Sequence, residues 1–222
     1  MNILTRNNVT YRTGAGPTLM FAHGFGCDQT MWHPVEALLP PDFATVLFDL
    51  VGAGESDLSA FDPAKYAELC GHADDVLEIL DALDLLDVVF VGHSVSAMIG
   101  VLVVRRQRRS AIGRLVLVGP SPRYFNDAGY EGGFERSDID DLLDTLDANY
   151  LGWSQAMAPV IMGAPDRPDL SERLANSFCR TDPDIARHFA RTTFLSDNRD
   201  DLAEVRVPAL VLQCSQDAIA PM

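Results

Sequence analysis

The sequence predicts an α/β fold: a mostly parallel sheet with helices on both faces and a helical insertion acting as a lid. Three observations carry this expectation. Short apolar runs of strand length alternate with stretches of helical period. Glycine-bearing turns follow the apolar runs, where a βα unit turns back over its sheet. One acidic section between two strands shows helical spacing throughout.

The first strand is predicted over residues 18–22 and runs into the turn His23-Gly24-Phe25-Gly26. A second covers residues 44–50 and ends in Val51-Gly52-Ala53-Gly54. Val76, Ile79, Leu80 and Leu83 recur at i, i+3, i+4 and i+7, which predicts an amphipathic helix over 75–86. A short buried strand at 88–91 leads into Gly92-His93-Ser94-Val95-Ser96 and an apolar stretch to Val104, too long for an average strand and read as a buried helix. Further strands are expected at 115–118 and 207–213. Between them, Ile139, Leu142, Leu143, Leu146 and Tyr150 form one apolar stripe, with Asp138, Asp141, Asp144 and Asp147 on the solvated side. The expected organisation is a core over 1–120, a helical lid over 121–196, and the core resuming over 197–222.

Composition narrows the class of function. The chain has 222 residues, 47% of them hydrophobic, enough for a packed core and incompatible with disorder. Its formal net charge of −15 argues against a nucleic-acid partner or an anionic membrane surface, both of which would repel it. No apolar run approaches the ~18 residues of a membrane span, and the N-terminal segment lacks the apolar region of a secretory signal. Cys27, Cys70, Cys179 and Cys214 are scattered without metal-ligand or disulfide-framework spacing, so reduced thiols in a cytoplasm are expected. Gly52-Ala53-Gly54 lacks the third glycine of a dinucleotide loop, and there is no phosphate-binding GxxxxGK[ST]; no cofactor and no metal is expected.

The passage around Ser94 carries the chemistry. A serine on a sharp strand-to-helix turn is lifted above the sheet edge, with small neighbours because strand and helix pass close together. Val95 then opens a helix, and its N–H faces the charge that develops when Ser94 attacks a carbonyl. The plain alternative is an ordinary βα turn with a solvated serine. Ser96 stands where the G-x-S-x-G pattern has its second glycine. The Phe25 amide in the other turn is the natural second oxyanion donor. An acyl-transfer serine also needs a histidine base and an acid to orient it. Asp217 follows the 207–213 strand, in the Ser…Asp order this architecture uses. A histidine should come next, yet His23, His33, His72, His93 and His188 all precede Asp217. His23 and His93 belong to the two turns, His72 is expected on a surface helix, and none is a convincing base. A further strand and helix of about 25–35 residues beyond Met222, carrying the base, is therefore expected.

These residues resemble the α/β-hydrolase superfamily, and within it the RsbQ-like group of bacterial stress-signalling hydrolases and the related karrikin and strigolactone receptors. The likeness runs through FAHGFGCDQTMW at 21–32, LFDLVGAGESD at 47–57, VFVGHSVSA at 89–97, LVLVGPSPRYFND at 115–127 and PALVLQCSQDAIAP at 208–221. It implies Ser94 as nucleophile, Asp217 as acid, and the amides of Phe25 and Val95 as the oxyanion hole. It also implies a V-shaped helical lid roofing an apolar pocket, for which Phe25, Phe125, Phe134, Trp153, Phe194 and Ile219 are lining candidates. The implied activity is hydrolysis of a small hydrophobic ester- or lactone-like molecule. The implied partner is a PAS-domain phosphatase that relieves inhibition of a stress sigma factor. The alternative is a slow-turnover or non-catalytic ligand-binding signalling protein with an incomplete triad.

Overall fold

A computed structural model describes residues 2–222. Its strands are β1 (Thr10–Arg12), β2 (Thr18–Ala22), β3 (Ala44–Leu47), β4 (Val88–His93), β5 (Ile112–Val118) and β6 (Ala209–Leu212). The helices are α1 (Ile3–Arg6), α2 (His33–Glu36), α3 (Leu69–Ala82), α4 (Val95–Arg106), α5 (Arg136–Ala148), α6 (Tyr150–Met162), α7 (Pro168–Arg180), α8 (Pro183–Phe194) and α9 (Arg199–Leu202). They build an α/β-hydrolase fold around one six-stranded sheet of order β1-β3-β2-β4-β5-β6, parallel except for β1.

Side-chain alternation along the strands divides the apolar residues between two faces. Met20, Ala22, Val46, Val88 and Phe90 point to one face and are covered by α3 and α4 through Val76, Ile79, Leu80, Val101 and Leu102. Phe21, Leu47 and Val91 point to the other, under Trp32 and the residues that lead into α2. The sequence pattern places these strands because the central ones, buried on both faces, need continuous apolar runs. The short edge strand β1 has no such run. Two of its three residues are exposed, and only its antiparallel pairing with β3 defines it. At the opposite edge, Leu210, Val211 and Leu212 of β6 are about half exposed, and β6 pairs on one side only, with β5.

Helices α5 to α8 form a separate apolar cluster above the C-terminal ends of the strands. Ile139, Leu143 and Leu146 of α5 pack with Trp153, Ala175, Phe178, Ala190 and Phe194. Tyr150 is buried in the same cluster but opens α6 rather than continuing α5. The chain turns at Asn149, whose side chain accepts from the Gly152 N–H and so caps the new helix. The start of α5 is fixed by a reciprocal pair: Glu135 accepts from the Asp138 amide and Asp138 from the Glu135 amide. Arg191 of α8 pairs with Asp147 of α5, and Arg180 of α7 reaches Asp28, in the segment that follows β2, at 2.6 Å.

A close backbone approach lies at the β4–α4 junction. A Cβ on Gly92 would stand 2.4 Å from the Ser96 carbonyl oxygen, a backbone atom that cannot move aside. Gly92→Ala should therefore destabilise the fold by about 1–3 kcal/mol, the usual range for overpacking a tight site. Urea denaturation checks this, and an unchanged midpoint would contradict the packing described.

Candidate active site

Ser94 sits between β4 and α4 with φ 55° and ψ −124°, a backbone region that L-residues rarely occupy. Such conformations cost of order 1–3 kcal/mol and persist only where the surroundings impose them. Here the Ser94 amide donates to the Val118 carbonyl of β5 at 2.8 Å, and its carbonyl accepts from the Ala97 amide at 2.9 Å. These bonds hold the residue from the sheet side and the helix side at once. The hydroxyl is turned toward a cavity, and Val95 is the first residue of α4. The positive end of the helix dipole thus lies beside Ser94.

The turn after β2 faces this junction. His23 is fully buried, and its Nε2 accepts from the Leu50 amide at 3.0 Å. That acceptor role assigns the proton to Nδ1, which donates to the Gly24 carbonyl at 2.9 Å. Burial pulls the pKa of His23 below its ordinary value, against the opposing charge of Asp49. Gly24 lies against the His93 ring, where an added Cβ would meet Nδ1 at 2.6 Å. Phe25 is the hub of an aromatic cluster, with ring centroids 5.7–6.1 Å from those of Trp153, Phe178, Phe189 and Phe194. This cluster joins the core to α6, α7 and α8.

Asp217 lies in the loop after β6. Its Oδ1 accepts from the Ile219 and Ala220 amides, each at 2.9 Å, which fixes the carboxylate and leaves Oδ2 without a partner among the described residues. Ser94, Asp217 and Phe25 line one cavity of about 740 Å³ beneath the helices of the lid cluster. Trp153, Phe194 and Ile219 line it too.

Phe125 and Phe134 do not line this cavity. They face each other across an isolated bridge pairing at the foot of α5, where the Arg123 and Arg136 guanidiniums stack on the Phe125 ring. The cationic partners turn Phe125 away from the apolar chamber and into the base of the lid. The sequence reading missed Tyr124, Met157, Phe178 and Thr193 on the cavity wall. The Tyr124 phenol lies beside the Ser94 side chain without a well-formed hydrogen bond and is pushed up to about 12, mainly by burial.

No hydrogen bond joins any histidine to Ser94 or Asp217 among the described residues. His33 is exposed, and His188 meets the Tyr66 carbonyl at 3.1 Å. His72, expected at the surface, is buried: its ring stacks on Tyr66 at 4.6 Å and meets Phe189 of α8 edge-on. Burial lowers its pKa to about 3, and that of His93 to about 4.

Residues 19–222 match the family model described as Alpha/beta hydrolase family. The chain is 40% identical to Strigolactone esterase D14 of Arabidopsis thaliana, over 99% of this chain and 82% of that protein. It is 38% identical to Karrikin insensitive 2 receptor CA of Petunia hybrida, over 97% and 80% respectively. Among solved structures, a hydrolase from Oleispira antarctica superposes with a TM-score of 0.95 at 42% identity, covering 99% of this chain and 81% of that one.

Three imidazoles held below their ordinary pKa of 6.5 make stability depend on pH. As pH falls below that value the unfolded chain binds protons at His23, His72 and His93, while the folded protein does not. Stability is therefore complete above about pH 6.5 and declines on acidification, by about 1.4 kcal/mol per pH unit for each such group. His72→Phe keeps the ring stack and should flatten the decline of urea-unfolding free energy between pH 6 and 4.5. An undiminished slope in that variant would contradict the assignment.

Proposed function

From the premise that the chain belongs to the alpha/beta hydrolase family, we propose that it is a serine hydrolase acting on a small apolar ester or lactone through an acyl intermediate on Ser94. The observation that carries this reading is the strained Ser94 elbow opening into an apolar cavity beside the Phe25 and Val95 amides. Neither amide donates to another group among the described residues.

In the proposed reaction the Ser94 Oγ attacks the substrate carbonyl carbon as a base removes the hydroxyl proton. The carbonyl oxygen becomes an oxyanion held by the Phe25 and Val95 N–H groups. Collapse of this intermediate breaks the ester bond, the base returns its proton to the leaving oxygen, and water later hydrolyses the acyl-serine. Asp217, already fixed through Oδ1, offers Oδ2 to orient the base. We propose that this base is a histidine outside residues 1–222, carried on a segment that also covers β6. The half-exposed apolar residues of β6 and the greater length of the relatives support this. The esterase names of the relatives support the reaction class, and the apolar wall of Phe25, Trp153, Phe178 and Phe194 supports a hydrophobic substrate.

A second reading is that turnover is slow and the lidded cavity serves signalling, a reading favoured by the receptor names among the relatives. The RsbQ-like resemblance adds a PAS-domain phosphatase as the partner of that reading; its retention by the purified protein, dependent on lid residues, is the test that separates the two.

The full-length protein should release p-nitrophenol from a short-chain ester. Ser94→Ala should reduce kcat by at least about 10³-fold, and Asp217→Asn should lower it strongly with little change in KM. Turnover that persists in Ser94→Ala would overturn the proposal.

A further inference from the structure

We infer that Ser96, the residue at which this chain departs from the usual second glycine of G-x-S-x-G, is a positioning residue for the oxyanion hole; the inference rests on the hydrolase reading above. Ser96 is fully buried on the second residue of α4, and its hydroxyl donates to the His23 carbonyl at 2.5 Å. A serine inside a helix ordinarily bonds back to its own preceding turn or to water. This one reaches across 73 positions of sequence to the turn that carries Phe25.

The consequence follows from peptide geometry. The His23 carbonyl is clamped by Ser96, and the next carbonyl, of Gly24, accepts from His23 Nδ1–H and from the Cys27 amide. All peptide bonds here are trans, so each carbonyl and the N–H of its own unit point in opposite directions. Holding the Gly24 carbonyl on the His23 side therefore turns the Phe25 N–H to the other side. Holding the His23 carbonyl on α4 ties this unit to the helix that supplies the Val95 N–H. Ser96 stands one residue from Val95 and two from Ser94, so a single hydrogen bond couples the elbow to the loop that completes the anion site. A glycine at position 96 offers no such donor, and the buried His23 carbonyl would lose its side-chain partner.

Loss of a whole oxyanion donor lowers rate by about 10²–10³-fold, and misplacement should do somewhat less. Ser96→Ala and Ser96→Gly in the full-length protein should each lower kcat about 10–100-fold with KM changed less than about twofold. Peptide-resolved amide exchange should show residues 23–28 exchanging faster in both variants while β4 and β5 keep their protection. An unchanged kcat, or unchanged exchange of that loop, overturns the inference while Ser94-dependent turnover by the parent protein leaves the hydrolase reading intact. Should the parent protein show no Ser94-dependent turnover, the hydrolase reading falls, and the exchange of residues 23–28 alone decides whether Ser96 orders the loop.

Discussion

The left-handed backbone of Ser94 is the constraint from which the rest of the site follows. A β-strand and the helix that succeeds it can meet at so sharp a corner only if their backbones nearly touch, and Gly92 leaves room for the Ser96 carbonyl. The bonds to Val118 and Ala97 then hold a conformation that the residue would not adopt in a free chain. Three consecutive residues gain their geometry from this corner. Ser94 projects its hydroxyl, Val95 offers the first helical amide, and Ser96 turns its hydroxyl inward to the loop of His23.

Around this corner the molecule arranges an aromatic wall. Phe25 lies between core and lid, so the residue whose amide faces the site also carries the ring against which Trp153, Phe178 and Phe194 pack. Packing of helices α6 to α8 and placement of the Phe25 amide are thereby one event. Burial keeps His23 and His93 neutral, which lets His23 serve as a hydrogen-bonding strut rather than a charge. On the proposed hydrolase reading, an oxyanion developing there would meet two oriented N–H dipoles beside buried aromatic rings, where each is worth more than in water.

The parts of this arrangement that sequence reveals are those set by local pattern. The central strands β2, β3 and β4 are legible because burial on both faces demands unbroken apolar runs, and the elbow because close approach demands small residues. The antiparallel edge strand β1 leaves no such trace, since Tyr11 and its neighbours are mostly exposed and long-range pairing alone makes them a strand. Tyr124 escaped because it lies in irregular chain between β5 and α5, where no period marks which side chains face the cavity. Phe125 and Phe134 misled for the complementary reason: an aromatic near a lid has no sequence feature that separates a cavity wall from a stack against Arg123. His72 reads as a polar position at a helix start, and only the placement of α8 over it makes it a buried ring.

The most direct measurement of the central claim is covalent trapping. Incubating the protein with a p-nitrophenyl alkylphosphonate, followed by digestion and peptide mass mapping, identifies the nucleophile without reference to any natural substrate. The account predicts a single phosphonyl group on Ser94, within the peptide that joins β4 to α4. Modification of another residue, or a protein that stays unmodified while a known serine esterase reacts under the same conditions, would contradict it.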